Sequence, residues 1–284
     1  MIVQKLAARS EPMILIMLGS AGVLAVGIAA YYLLPNPVDW TIFYRPAALA
    51  LISGTSPFTV GFFFNAPWIL LPLIPFALLP YRIGVAALFI ANLSIFFYIG
   101  LRMAARPLAL IAYCCSLPVI ATLLFGQVDG LVLLGLFLPR PLGLLFLLAK
   151  PQIGVVVALF WFIETWRVSG WKQVLKTFAP VTGLFLISFV LFGFWPLRYD
   201  IGSLISADHN TSMWPGSFMI GLPLLFYAIR TRRENFAWIS APFFSPYVAP
   251  QSWSIALLGL MHSDIEIAAA SIASWSLFIY RIVH

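Results

Sequence analysis

Charge is what this sequence has least of. Lys, Arg, Asp and Glu make up only 9% of its 284 residues, hydrophobic residues make up 62%, and the mean hydropathy is +1.01. A globular domain in water carries about 25% charged residues, so a soluble fold is excluded and the chain reads as a polytopic membrane protein. Acidic residues are the scarcer half: nine against sixteen Lys and Arg, for a net charge of +7. The basic residues sit at the ends of apolar runs, where they set membrane topology. They do not cluster with aromatics on one face as nucleic-acid recognition requires, so no nucleic-acid partner is expected. Cysteine is confined to the adjacent Cys114 and Cys115, and a bridge between neighbours would be strained and would close no useful loop. A Gly-x-Gly-x-x-Gly turn, a Walker-type phosphate loop and a His-Glu-x-x-His helix are all missing, so nucleotide-driven and zinc-protease functions lack their chemistry. No resident metal or cofactor is expected.

What the chain does have is apolar length interrupted by 21 prolines, with 16% aromatic residues. At ~20 residues per span, the length allows ~8 to 10 membrane segments in one all-α integral membrane domain over residues 1–284, with broken half-helices and interfacial outer-loop helices. Lys5 and Arg9 precede the first apolar run, Met13 to Leu34, and place the N-terminus in the cytoplasm. The segment from Pro35 is then an outer loop (35–64) whose stretch after Asp39 reads as a short amphipathic helix ended by the Ser53-Gly54-Thr55-Ser56-Pro57 turn. Asn65 to Pro80 holds four prolines and either crosses the membrane or turns back within it; the choice decides on which side Arg102 and Arg106 lie. Spans are expected at Ile83 to Leu101, Leu108 to Phe125 and Thr177 to Trp195, with a basic cytoplasmic connection at Arg167 to Lys176 and a second outer loop at 196–215.

The middle of the chain departs from simple spans. Leu131 to Leu138, Leu142 to Ala149 and Ile153 to Ile163 are short apolar runs separated by Pro139-Arg140-Pro141 and Lys150-Pro151-Gln152. Half-length helices with polar junctions at depth are tolerated where they line a protein-walled cavity. The junctions point to a site formed by Gln127 and Asp129 on one side and Lys150 and Gln152 on the other.

The order of motifs resembles a known family. Asp39-Trp40-Thr41-Ile42-Phe43-Tyr44-Arg45-Pro46-Ala47-Ala48, then Gly54 and Ser56-Pro57-Phe58, is similar to the first outer loop of the C-type (GT-C) glycosyltransferases that use polyprenyl-phosphate sugars. Within these it most resembles the bacterial polyprenyl-phosphate-mannose-dependent mannosyltransferases of glycosyltransferase family eighty-seven. Leu78-Leu79-Pro80, Gly126-Gln127, Lys150-Pro151, and Ser245-Pro246 before Trp253 continue the likeness in order. The resemblance implies a GT-C-like fold in a prokaryotic plasma membrane, and transfer of a sugar, mannose in that family, from a polyprenyl-phosphate donor to an acceptor on the outer face.

It also implies roles. Asp39 would be the base that takes the acceptor hydroxyl's proton; its structural alternative is a cap on the following helix. By their own chemistry rather than by the resemblance, from which Arg45 departs, Lys150, Arg45 and Arg198 would balance the donor phosphate, the alternatives being a snorkelling Lys and two interfacial arginines. Gln127, Asp129 and Gln152 would line the pocket and meet sugar hydroxyls, or Gln127 and Asp129 would pair with Lys150. Asp200, Asp208 and His209 share one loop and read as solvated, with a divalent cation as the alternative; His262, Asp264 and Glu266 read as a loop cluster. Asn210-Thr211-Ser212 fits the glycosylation pattern. Partners are the lipid donor and the bilayer. The chain is short for that family, which opens another reading: a non-catalytic GT-C-like subunit held by other membrane subunits.

Overall fold

The computed structural model describes residues 22–61, 63–103 and 106–283, and among them every regular element is helical. The helices are α1 (Gly22–Leu33), α2 (Trp40–Ile52), α3 (Pro67–Leu78), α4 (Tyr81–Arg102), α5 (Pro107–Cys114), α6 (Leu117–Phe125), α7 (Asp129–Leu134), α8 (Arg140–Leu147) and α9 (Pro151–Phe192). They continue with α10 (Ile201–Ile205), α11 (Phe218–Thr231), α12 (Glu234–Ser240), α13 (Ser254–Gly259) and α14 (Asp264–Val283). The first part of the expected Met13 to Leu34 span lies outside the described residues.

Proline and glycine decide where these helices stop. Two of them, α4 and α9, are long and apolar enough to cross a membrane, and a third crossing results if α5 and α6 form one bent span. That is fewer than the ~8 to 10 segments that length alone allows, because most apolar runs are cut into pieces too short to cross singly. The expected span Leu108 to Phe125 bends by 47° between α5 and α6. Pro118 has no N–H to continue the helix across Cys115-Ser116, and Ser116 closes a tight turn on Tyr113 O instead. The expected short helices before and after Pro139 both form, as α7 with a 3-10 turn and as α8. The third run, Ile153 to Ile163, is not a half-helix but the start of α9, which continues through the expected basic connection. Only Gly170, at φ 75° and ψ 178°, breaks α9, into arms 151–169 and 171–192.

Contacts define two ends. At one, Tyr81 at the start of α4 meets Thr41 through their hydroxyls at 2.6 Å, and Ala66 N–H reaches Ala149 O at 3.0 Å. One end of α3 therefore lies by α2 and the other by Lys150. Arg281 at the far end of α14 binds Asn210 O here at 3.2 Å. At the other end, Arg167 binds Ile229 O, Asn235 binds Gly259 O, and Arg106 pairs with Asp264 at 3.3 Å. This basic end carries Arg102, Arg106, Arg140, Arg167, Lys172, Lys176, Arg230, Arg232 and Arg233 against Glu164, Glu234, Asp264 and Glu266. The Asp39 end carries Arg45, Arg82, Lys150, Arg198 and Arg281 against Asp39, Asp129, Asp200 and Asp208. Between the ends, Trp40, Phe96, Tyr113, Phe160 and Trp161 are buried in one apolar core. Trp195 stacks on Phe58 at 5.5 Å and on Phe185 at 6.1 Å, which ties the chain after α9 to the turn after α2.

Candidate functional site

The two junctions singled out in the sequence meet at the Asp39 end. α6 stops at Gly126, whose φ of 69° is readily adopted only by a residue without Cβ, and a Cβ there would stand 2.6 Å from the Cβ of Trp40. The close approach seats the first turn of α2 directly against Gln127. On the other side α8 ends at Leu147 and Pro151 opens α9, so that Lys150 lies at the corner between two helices that cannot be continuous across a proline.

Gln127 is the centre of the polar chain that results. Its Nε2 donates to Asp39 Oδ2 at 2.5 Å, while its Oε1 accepts from the Tyr44 hydroxyl at 2.9 Å and faces the Lys150 ammonium at 3.5 Å. Asn92 Nδ2 holds the Gln127 backbone carbonyl at 3.1 Å. Lys150 Nζ donates to both oxygens of Asp129, at 2.9 and 2.8 Å, and the side chains of this pair are only 4% and 0% exposed. Two donors on Oε1 and one acceptor on Nε2 fix which way the amide points. Asp39 is half-buried, and its Oδ1 has no hydrogen-bond partner among the described residues.

Burial raises the Asp39 carboxyl above the ordinary carboxylate range. The Gln127 hydrogen bond and the charges of Lys150 and His209 oppose that rise, and Asp129 adds to it. Tyr44 is held well above the usual phenol value, first by burial and then by the charges of Asp129 and Asp39, so it remains a donor. Tyr247 is pushed up to about 12 by burial and by the same two carboxylates, and its hydroxyl meets His209 Nε2 at 3.0 Å. The loop at 196–215 and the loop before α13 thus meet beside the site. They are laced together by Thr211 N–H to Val248 O at 2.8 Å, Ser212 Oγ to Ser245 O at 2.6 Å and Trp253 Nε1 to Thr211 Oγ1 at 2.8 Å.

Several expectations change. Asp39 does not cap α2: its backbone is already helical and its carboxylate turns to Gln127. Lys150 neither snorkels nor presents itself to a phosphate, because it is buried and its charge is taken up by Asp129. Gln127 and Asp129 follow the reading in which they pair with Lys150. Gln152 is half-buried in the first turn of α9 and has no hydrogen-bond partner among the described residues. Arg45 lies over the Tyr81 ring at 5.9 Å, with its Nε buried and unbonded, and Arg198 lies exposed over the Phe58 ring at 6.0 Å. Asp200 caps α10 through Ser203 N–H at 3.1 Å, and among the described residues no group of His, Cys, Asp and Glu is arranged to hold a metal ion. The side chain of Asn210 is occupied on both atoms, Nδ2 by Ile205 O and Pro246 O and Oδ1 by Ser212 N–H and Val248 N–H. It serves as a loop brace and is not presented for glycosylation.

Sequence reasoning gave no role to Asn92, Tyr44 or Tyr247. Asn92 alone carried a signal, as an amide within an otherwise apolar helix. Comparison with protein-family models, with curated proteins and with solved structures gives no match.

Proposed function

We propose that the chain is a membrane glycosyltransferase that moves a sugar, mannose by the resemblance of its outer loop, from a polyprenyl-phosphate donor to an acceptor hydroxyl at the Asp39 end. The observation that carries the reading is Asp39 itself: a half-buried carboxylate above its ordinary pKa range, with one oxygen held by Gln127 and the other unbonded. A positioned carboxylate of raised pKa is the form in which Asp serves as a general base. The acceptor oxygen attacks the sugar's anomeric carbon and forms a new C–O bond as the bond from that carbon to the phosphate oxygen breaks. The electron pair leaves with the polyprenyl phosphate, the acceptor's proton passes to Asp39 Oδ1, and the anomeric centre inverts.

Gln127 positions Asp39, and Tyr44 and the Lys150–Asp129 pair fix Gln127. The leaving phosphate falls to Arg45 and Arg198, whose guanidiniums are held by aromatic rings rather than by carboxylates. The charge distribution supports the orientation, since the basic end matches a cytoplasmic face and the Asp39 end an outer one. The test is incubation of membranes containing the full chain with labelled polyprenyl-phosphate mannose, then with the glucose and galactose donors. Transfer of label to an endogenous or added acceptor is expected; no transfer from any donor would overturn the enzyme reading.

One observation favours the alternative, a non-catalytic subunit of a larger assembly. The costly buried pair of Lys150 and Asp129 satisfies itself and withholds the Lys150 ammonium from a substrate. Migration with fixed partners on a native gel, together with absence of transfer, would decide for it.

A further inference from the structure

The cations of the basic end fall into two groups with different surroundings. Arg102 closes α4 and Arg106 precedes α5, and there Asp264 of the acidic first turn of α14 pairs with Arg106 at 3.3 Å. The other group surrounds Gly170. The rings of Phe162 and Phe178 touch at 5.7 Å, whereas sixteen residues of straight helix would hold them ~24 Å apart. The two arms of α9 therefore fold back beside each other as a hairpin with Gly170 at its tip. Trp166 and Trp171 meet across the tip at 6.3 Å, and Phe162 touches both, at 5.9 and 6.0 Å. Arg167 donates to Ile229 O at 2.9 Å and so clamps the last turn of α11 to the hairpin. That contact gathers Arg230, Arg232 and Arg233 with Arg167, Lys172 and Lys176 on one patch, drawn from two helices far apart in sequence.

All six of these cations are exposed. Of the two acids beside them, Glu164 is buried, and Glu234 is taken up by the indoles of Trp161 and Trp238 at 2.6 and 3.2 Å. Among the described residues the patch has one ion pair, the loose approach of Arg167 to Glu164 at 3.8 Å. Like charges left together in this way favour an anion that joins them, and each Lys or Arg at an anionic membrane surface strengthens binding about fivefold. The tip also indicates the kind of anion. Trp166 and Trp171 are 56 and 52% exposed, and indoles so placed settle where headgroups meet acyl chains. An acidic protein surface would match the cations alone. We infer that the tip of the α9 hairpin and the end of α11 form a docking surface for anionic phospholipids of the phosphatidylglycerol type. Their phosphates lie among the Lys and Arg side chains, and their acyl chains run beside the two tryptophans. Zwitterionic lipids, whose phosphate comes with its own ammonium, compete poorly. The inference does not depend on glycosyl transfer.

The test uses the full chain, delipidated in detergent, titrated with chain-matched phosphatidylglycerol, phosphatidylcholine and phosphatidylethanolamine, with retained lipid read by native mass spectrometry. Phosphatidylglycerol is expected to bind about tenfold or more tightly than either zwitterionic lipid. The preference should shrink to about twofold when ionic strength rises from ~0.05 to ~0.5 M, which cuts the screening length about threefold. Combining Lys172→Gln, Lys176→Gln, Arg230→Gln and Arg232→Gln spares the Arg167 clamp; it should make the three lipids bind alike while leaving the lipid-free unfolding temperature unchanged. Arg102→Gln with Arg106→Gln, in the other group, should keep the preference. Equal affinity for the three lipids at low salt, a preference that survives the combined variant, or its loss in the Arg102 and Arg106 variant would overturn the surface. Displacement of the bound lipid by an equimolar oligoglutamate peptide would overturn the lipid assignment.

Discussion

Breaking the Lys150–Asp129 pair from either side should cost far more than removing it whole. At 2.8 Å the gross attraction is about 6 kcal/mol at an effective dielectric of ~20. Moving both ions out of water costs several kcal/mol each, so the intact pair is close to break-even. Asp129→Leu leaves an ammonium in a site where Gln127 Oε1, at 3.5 Å, is its remaining partner. Lys150→Met leaves a carboxylate that is 0% exposed, with no donor among the described residues. Each single change should destabilise by ~3–5 kcal/mol, an unfolding-temperature drop on the order of 10 °C for a chain of this length. The double change, apolar and of similar volume, should recover most of that loss. The assay is thermal unfolding of the purified full chain in one detergent, for wild type, both single variants and the double variant. Single variants within ~1 kcal/mol of wild type, or a double variant as destabilised as the sum of the singles, would refute the reasoning.

Three further outcomes are expected. Gly126→Ala meets Trp40 and Pro37 at 2.6 and 3.0 Å and forces a positive φ on a residue with Cβ; it should lower the unfolding temperature and expose the Trp40 indole, as read by tryptophan fluorescence. Because the folded state holds the Asp39 proton more tightly than the unfolded chain does, the associated stability is complete below the ordinary carboxylate pKa and is lost as pH rises through the raised folded value. Asp39→Asn, neutral throughout, should remove that fall from a plot of unfolding temperature against pH. Arg106→Ala breaks an ion pair whose Arg is 79% exposed and should change stability by no more than ~1 kcal/mol, checked in the same unfolding assay.

Gln127 and Lys150 stand out in the sequence because amides and ammoniums at apolar depth are rare and expensive, and the prolines beside them mark where helices must stop. That logic is local, and it locates both halves of the polar chain, the helix after Asp39 and its glycine turn. Which atoms pair is not local. Tyr44 and Asp39 reach Gln127 across 83 and 88 residues, and no spacing rule joins positions that only the packing of α2 against the end of α6 brings together. The pairing of Lys150 with Asp129, at the expense of a phosphate, likewise depends on how α7 and α8 fold back on each other. Periodicity also hides breaks without proline: Gly170 lies in a helical pattern that reads as two unrelated apolar runs. Leu108 to Phe125 shows the reverse failure, since its uniform apolarity conceals the bend before Pro118.

The most direct measurement is sugar transfer from labelled polyprenyl-phosphate mannose by wild type, Asp39→Asn and Gln127→Leu at equal protein levels. If Asp39 is the base and Gln127 positions it, transfer falls to background in Asp39→Asn. In Gln127→Leu it persists at a reduced rate, with its acid limb moved to higher pH, because the hydrogen bond that lowers the Asp39 pKa is gone. Undiminished transfer by Asp39→Asn would contradict the assignment of the site.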